Sequence, residues 1–362
     1  MKKMSIRFLM YFVLVSLITL VMVQIHGGFI ASAQTKEVVV QTFGGTFGAA
    51  GRAAFYDPFT EATGIKVIDV SSTTDFLGKI AAQIKSGKIE WDVTTAHYNS
   101  SLAPLSSKGM LEEIDYRIVT DTKDLIPGSV HKYGVGNALT TYVMAYNTKK
   151  FPGENHPKSW ADFFDVNKFP GPRAMPAWGS PEYNIVPALL ADGVPLDKLT
   201  PFDYDRAFKM LDKIKPYVKI WYTSGDQLSQ GLLEEQVVLA NSTYGRVATV
   251  RDAGAPIALE WNQGIYYVGY YAVLKGAHNK KEAMQLINFT LRPELQAIHA
   301  NLTGYSGTNL KSTRYIHPKF QKDQANYPDN FKKEIDIVKY ISPWLDTHYD
   351  EMVQKFNTWL AK

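Results

Sequence analysis

The sequence predicts an α/β fold in which helices cover a parallel sheet. Three observations predict it: short β-rich runs alternate with helical patterns, a glycine-rich turn joins the first run to the first helical pattern, and none of the 362 residues is a cysteine. Alternation favours parallel strands, because these need helical crossovers. Without disulfides the stability must come from the core, and a chain of this length can bury a large one in two domains.

The first 33 residues are predicted to be a secretory signal peptide. Residues 2–7 carry three basic side chains, residues 8–23 are almost wholly apolar, and Ala31-Ser32-Ala33 provides small residues for cleavage. This is the order of features in a signal peptide. We expect cleavage before Gln34 and a monomeric protein in the periplasm; the alternative is an uncleaved membrane anchor.

The charge balance gives no reason to expect nucleic-acid binding. The chain has 39 Lys and Arg and 35 Asp and Glu, and the signal peptide removes three of the basic residues and no acids, which leaves a net charge near +1. Nucleic-acid binding depends on an excess of positive charge. The 21 tyrosines instead favour a pocket for a small organic molecule, because tyrosine combines an apolar face with a polar tip.

The glycine-rich turn lies within QTFGGTFGAAGRAAF, residues 41–55. It has the strand–turn–helix layout of a phosphate loop, but it lacks the Gly-Lys-Ser/Thr end of a P-loop and the G-x-G-x-x-G spacing of a dinucleotide site. We predict that Thr46 caps a helix whose first N–H groups face a ligand. The alternative is a tight turn with no ligand.

The remaining elements follow in order along the chain. The first helix is predicted to end near 63, a second to cover 75–86, and a third to pass through Leu102 and Leu105. Later helices are predicted at 200–214, at 279–291 and at the carboxyl end. Strands are predicted at 36–42, 64–70, 91–95, 142–147, 236–240 and 264–274.

The sequence contains none of the common catalytic motifs. There is no H-E-x-x-H, G-x-S-x-G or calcium-binding loop, and the eight histidines are scattered. His97 follows a predicted strand and could face a cleft. The acids with catalytic potential are not paired by spacing as general acid–base work requires; they are Asp75, Asp92, Glu182 and Asp226. The sequence therefore offers no recognised catalytic constellation, and no cofactor is predicted.

Two tyrosine pairs raise the alternative of a ferric-ion site. They are Tyr266-Tyr267 and Tyr270-Tyr271, and all four lie in one predicted strand. Neighbouring side chains of a strand point to opposite faces, so a pair cannot ligate one metal without a bulge. No metal site is predicted.

Several segments, in order, resemble the periplasmic solute-binding proteins of ABC importers, in the branch of the spermidine/putrescine-binding protein. The resemblance covers essentially the whole chain after the signal peptide. The segments that carry it are 59–67, 91–93, 108–115, 157–162, 253–257, 282–289 and 304–309.

The resemblance implies a two-lobed (type II) periplasmic binding protein fold with hinge strands and a central ligand cleft. Lobe 1 would contain residues 34–142 and 270–312, and lobe 2 would contain 143–269 and 313–362. It also implies a non-enzymatic protein that captures a small nitrogen-containing solute and delivers it to the permease subunits in the inner membrane. A ferric-ion binder and a secreted enzyme on the same scaffold remain alternatives.

The resemblance and the strand ends together predict the residues of the cleft. Polyamine binders hold ammonium groups with carboxylates, but Gly269 stands where their tryptophan-x-aspartate strand has its acid. Arg246 could instead hold a carboxylate, or it could form a surface salt bridge. Glu182 or Asp226 would hold an ammonium group. The predicted ligand-binding residues are Phe43, Gly44, Gly45, Thr46, Phe47, Tyr98, Trp178, Glu182, Tyr222, Asp226, Tyr244, Arg246, Tyr267 and Tyr305.

Overall fold

A mixed sheet of ten strands runs through the computed structural model, which describes residues 36–42, 44–72, 76–97, 101–177, 180–342 and 344–362. The predicted signal peptide lies outside these ranges. The described strands are β1 (Glu37–Thr42), β2 (Lys66–Ser71), β3 (Val93–His97), β4 (Val130–His131), β5 (Gly134–Asn147), β6 (Arg173–Pro176), β7 (Val218–Tyr222), β8 (Leu239–Thr243), β9 (Ile257–Val273) and β10 (Ile335–Asp336).

Helices connect most of these strands, as the alternating pattern predicts. The described α-helices are α1 (Gly45–Gly51), α2 (Asp57–Thr63), α3 (Phe76–Ser86), α4 (Ala103–Ser107), α5 (Trp160–Phe164), α6 (Glu182–Ala191), α7 (Tyr204–Ile214), α8 (Gly225–Leu233), α9 (Tyr244–Asp252), α10 (Lys280–Thr290), α11 (Pro293–Thr303), α12 (Pro318–Gln321), α13 (Pro328–Phe331), α14 (Ile337–Ile341) and α15 (Trp344–Leu360). A π-helical turn, Arg52–Tyr56, joins α1 to α2.

The sheet consists of two parallel groups of strands with two long strands between them. The order is β2-β1-β3-β9-β5-β8-β6-β7. The strands β1, β2 and β3 are parallel, as are β6, β7 and β8. Between the groups, β5 and β9 run antiparallel to each other over 14 and 17 residues. The sheet is therefore mixed rather than wholly parallel, and β5 and β9 belong to both sides.

The two central strands are longer than predicted. They begin at 134 and 257, whereas the sequence pattern predicted 142 and 264. Glycine lowers strand propensity, and β5 begins with two glycines in its first three residues. At Gly136 a Cβ would lie 2.6 Å from Val268 Cγ1 and 2.8 Å from the Ser129 Cβ. The glycine that weakens the sequence signal is thus the residue that allows β5 and its neighbours to approach.

The first helix is capped by Gly44 and not by Thr46, so the predicted cap is wrong by two residues. Gly44 has φ +68°, and α1 begins at Gly45. A Cβ on Gly44 would collide with the hydroxyl of Ser71, and the left-handed conformation disfavours other residues. The Gly44 N–H donates instead to Thr42 Oγ1, at 3.2 Å. Sterics at Ser71, which sequence spacing does not reveal, fix the start of the helix.

Buried apolar side chains form several clusters, and the two largest both include residues of the central strands. One contains Trp160, Leu211 and Phe356, and the other contains Val40 and Phe59. These clusters lie in the predicted lobes 2 and 1 respectively, although the lobe boundaries themselves stay a prediction. None of the described helices has the length and apolar character needed to cross a membrane.

Candidate ligand-binding site

The carboxyl ends of strands from both parallel groups meet at the central pair, β5 and β9. His97, the last residue of β3, pairs with Gly269 of β9. Thr243, the last residue of β8, pairs with Tyr142 of β5. Ligands of α/β proteins bind at the carboxyl ends of parallel strands. The segment of β9 around Tyr267, which pairs with Thr140 of β5, therefore forms the floor of the candidate site.

Three tyrosines and a histidine line this floor, and we call them the tyrosine cluster. The rings of Tyr142 and Tyr183 are stacked at 4.1 Å, and the ring centroids of Tyr183 and Tyr267 are 5.3 Å apart. The imidazole of His97 meets the Tyr267 ring edge-on at 4.9 Å. Tyr142 and Tyr183 are buried, whereas Tyr267 and His97 keep some exposure. Burial lowers the pKa of His97 to about 4, so the imidazole is neutral at physiological pH.

Glu182 is a buried acid beside the tyrosine cluster. It opens α6, and among the described residues its Oε2 has no hydrogen-bond partner. Burial raises the pKa of Glu182 to about 8. The carboxylate charge in turn contributes to the raised pKa values of Tyr183, Tyr267 and Tyr349, and Glu182 directly precedes Tyr183 in α6. A buried acid with an unused oxygen is costly unless a partner arrives, and an ammonium group has the required charge.

We expect the empty protein to lose stability as pH rises because of Glu182. Its folded pKa of about 8 lies above the ordinary value of 4.5, so between these pH values the folded state binds more protons than the unfolded state. The free energy of unfolding then falls with rising pH, by at most about 1.4 kcal/mol per pH unit for one group. Urea unfolding at pH 5, 6.5 and 8 should show that the Glu182→Gln variant becomes more stable relative to the wild type as the pH rises.

A second buried acid makes the comparison with the variant necessary. The pKa of Glu334 is also raised by burial, and it falls outside the tyrosine cluster, bonded to Thr141 at 2.8 Å. Glu334 contributes the same pH dependence to the wild type and to the Glu182→Gln variant, so its contribution cancels in the difference between their free energies of unfolding. A stability difference that stays constant from pH 5 to 8 would show that Glu182 is not a buried neutral acid.

Arg246 and Asp226, both predicted to bind the ligand, are paired with each other. The two side chains meet at 3.1 Å, with 43% of Arg246 and 92% of Asp226 exposed. The guanidinium lies directly over Gly225, where a Cβ would collide with it. Exposed ion pairs contribute little stability, so a ligand carboxylate could replace Asp226 at small cost. Sequence analysis assigned Arg246 and Asp226 opposite roles and left a surface salt bridge as the alternative for Arg246; the structure shows such a pair, with Asp226 as the partner.

Tyr305 reaches the same end of β8. Its hydroxyl lies 3.2 Å from Thr243 Oγ1, and its ring closes over Gly245. Tyr244 lies beneath it, fully buried, with its ring 5.7 Å from that of Tyr305 and its hydroxyl bonded to Ser306 Oγ at 3.0 Å. Tyr305 therefore presents a partly exposed ring and hydroxyl to the site, while Tyr244 supports it from below.

The other predicted residues differ in how far they are open to a ligand. Tyr222 is fully buried and donates to the Asn241 carbonyl at 2.7 Å. Phe47 is partly exposed, with its ring edge-on to His299 at 4.8 Å. Gly45 and Thr46 lie in the first turn of α1. As ligand contacts, all of these stay predictions. Three further predicted residues lie outside the described residues: Phe43, Tyr98 and Trp178.

Sequence reasoning missed two members of the tyrosine cluster, Tyr142 and Tyr183. Tyr183 follows Glu182 directly in α6, and Tyr142 lies two residues after Thr140 on the same face of β5. Strand periodicity would have connected Tyr142 to the site, since alternate residues share a face. The position of Tyr183 depends on how α6 packs against β5, which no local pattern reveals.

The chain was compared with known proteins. Residues 54–328 match the family model described as bacterial extracellular solute-binding protein. The chain belongs to this family. A solved ABC transporter substrate-binding protein from Bradyrhizobium japonicum has 32% identity and a TM-score of 0.77, covering 88% of this chain and 99% of that one, so the predicted class of transport protein is confirmed.

Individual relatives support the same assignment along nearly the full chain. The gamma-aminobutyric acid-binding protein of Pseudomonas aeruginosa is 32% identical over 338 residues, covering 92% of this chain and 93% of the relative. The spermidine/putrescine-binding periplasmic protein of Escherichia coli is 27% identical over 284 residues, covering 75% and 79%. A solved GABA receptor has 33% identity and a TM-score of 0.81, covering 90% of this chain and 98% of that one. The resemblance to the polyamine-binding branch and the predicted fold class are confirmed, and these relatives are binding proteins.

Proposed function

We propose that this protein captures a short zwitterion of the gamma-aminobutyric acid type in the periplasm and delivers it to an ABC permease. The ligand would have an ammonium group at one end, a carboxylate at the other and an apolar spacer between them. The relative with 32% identity over 92% of the chain is a gamma-aminobutyric acid-binding protein. Similarity at this level supports the class of solute, and the chemistry of the site supports the arrangement of its charges.

The observation that carries the proposal is the buried carboxyl of Glu182 beside the tyrosine cluster, whose Oε2 has no hydrogen-bond partner among the described residues. An ammonium group would supply the missing charge and a hydrogen bond to Oε2, and the ring of Tyr267 would contribute a cation–π contact. No described basic side chain contributes to the pKa of Glu182. The countercharge is therefore expected from the ligand.

The opposite end of the ligand would meet Arg246. Its guanidinium is half-exposed and pairs with the exposed Asp226, and an arginine can bind a carboxylate through two parallel hydrogen bonds. Glu182 and Arg246 make no ion pair with each other, and Arg246 is not among the causes of the raised pKa of Glu182. Two charged groups that do not contact each other favour a ligand with a methylene spacer over an α-amino acid, whose two charges are adjacent.

Closure of the predicted lobes would seal the ligand. Both Glu182 and Arg246 belong to predicted lobe 2, whereas Phe47, His97 and Tyr305 belong to lobe 1. Hinge motion about β5 and β9 would bring lobe 1 over the ligand, as in other two-lobed binding proteins. Charges excluded from water interact more strongly, so closure strengthens both charge contacts.

Isothermal titration with gamma-aminobutyric acid, glycine and putrescine tests the solute class. We expect gamma-aminobutyric acid to bind at least about a hundredfold more tightly than the other two, because each lacks one of the two matched charges or the spacer. Tighter binding of putrescine would overturn the proposal in favour of a polyamine binder. NMR of the incubated mixture should show the solute unchanged; its conversion would support the enzyme alternative.

A further inference from the structure

Helix α11 and the 3₁₀ helix that follows it, Leu310–Tyr315, expose a group of large apolar side chains. Ile298 and Leu302 lie one turn apart on α11 and are 43% and 51% exposed. Leu310 and Tyr315 lie on the 3₁₀ helix and are 43% and 56% exposed. We call these four the apolar edge. Soluble proteins rarely concentrate exposed apolar groups in this way unless something binds there.

The two segments of the apolar edge are held together as one unit. Ile316 and Phe320 pack against Ala297 and Ala300 on the flank of α11. The backbone N–H of His317 also donates to Asn301 Oδ1 at 3.1 Å. The exposed side chains are therefore presented on a packed support and not on an isolated loop.

The same helix contacts the candidate ligand site at two points. On its buried side, the His299 ring packs against Phe47 at 4.8 Å and against Phe55 at 5.3 Å. At its carboxyl end, α11 stops at Thr303 and leads to Tyr305, whose hydroxyl lies 3.2 Å from Thr243. A change of the cleft on ligand binding would therefore be transmitted directly to the apolar edge.

The surroundings of the apolar edge are basic. Between residues 311 and 322 there are four cations and no acid. Two of them have exposed ion pairs, Lys311 with Asp124 and Lys319 with Asp252. Electrostatic complementarity then favours a partner with an acidic rim around apolar side chains. The four cations are Lys311, Arg314, Lys319 and Lys322.

We propose that the apolar edge is a docking surface for the permease of the ABC importer, with an acidic and apolar periplasmic surface as its counterpart. This rests on the proposed transport function. A permease has to distinguish loaded protein from empty protein, and a helix that contacts the ligand site at two points can report that state. A lipid surface or a second copy of the chain has no such requirement.

Photocrosslinking in the native host tests the docking surface without depending on the identity of the solute. The crosslinker p-benzoylphenylalanine is placed at position 302 of the full chain, and the products are identified by mass spectrometry. We expect crosslinks to a membrane subunit of an ABC permease. Adding Ile298→Asp should reduce their yield by about tenfold or more, because it places a charge in an apolar contact and adds an anion opposite an acidic partner.

Position 233 provides the matched control. Leu233, on α8, is exposed to 45%, similar to Ile298, but it is not part of the apolar edge, so a crosslinker there should give no permease product. A product with a second copy of the chain, a product with lipid alone, or no product at 302 would each overturn the proposal. Titration of gamma-aminobutyric acid into the Ile298→Asp variant should give wild-type affinity. Failure of both proteins to bind it would count against the solute class while leaving the crosslinking result decisive for docking.

Discussion

Glu182→Gln is expected to weaken the binding of gamma-aminobutyric acid by about 2–5 kcal/mol, which corresponds to roughly 30-fold to several thousandfold in affinity. Glutamine keeps the size of the side chain but cannot carry the charge that the buried ammonium group needs. Isothermal titration of both proteins at pH 7 measures the effect. Glu334→Gln is the matched control, since it also alters a buried acid with an unpartnered oxygen among the described residues but lies outside the tyrosine cluster; its affinity should be that of the wild type.

The same titration should detect a proton leaving Glu182. In the empty protein the pKa of Glu182 is about 8, so at pH 7 the carboxyl is mostly protonated. An ammonium group favours the ionised form, and binding should then release close to one proton per ligand. The binding enthalpies in phosphate and in Tris should differ by the difference of the buffer ionisation enthalpies. Equal enthalpies in the two buffers, or a difference that persists in Glu182→Gln, would contradict this account of the site.

Arg246→Ala is expected to weaken the binding of gamma-aminobutyric acid by a similar amount, about 2–5 kcal/mol, because the substitution leaves the ligand carboxylate unpaired in a closed cleft. Thermal stability should hardly change, since the pair with Asp226 is exposed and such pairs contribute little. Putrescine binding should be unaffected or improved, because a positive charge has been removed from the site. Titration with both ligands separates the two expectations.

Arg206→Ala is the matched control for the arginine variant. Arg206, on α7, is 45% exposed and pairs with Asp192 at 2.6 Å. It therefore resembles Arg246 in exposure and pairing, but it is not a predicted ligand contact. Its removal should leave the affinities for gamma-aminobutyric acid and putrescine unchanged. Unchanged affinity for gamma-aminobutyric acid in Arg246→Ala, together with loss in Glu182→Gln, would show that Arg246 does not hold the carboxylate and would restore the polyamine interpretation. Asp226→Asn then identifies whether Asp226 holds a second ammonium group.

Sequence patterns located the first three strands and missed others, including β6 and β7. The first three strands are within two residues of their predicted positions. The beginning of β5 was missed because its glycines are needed for close packing against Val268 and Ser129. In the site, charged side chains such as Glu182 were recognisable as candidates, since their chemistry is visible in one letter. The protonation of Glu182 and the ion pair of Arg246 could not be predicted from the sequence. Both depend on which helix N-termini lie close together in the fold.

The short strand β10 has a consequence for how the protein is made. Ile335 and Asp336 pair with Ile265 and Tyr266 in the middle of β9, although about seventy residues separate the partners in the chain. The centre of the sheet therefore cannot be completed until nearly the whole polypeptide has been synthesised. Non-local pairing of this kind slows folding, and slow folding keeps the chain in the extended form that can be threaded through a secretion channel. If the predicted signal peptide directs export, the late strand would favour passage through the channel before folding.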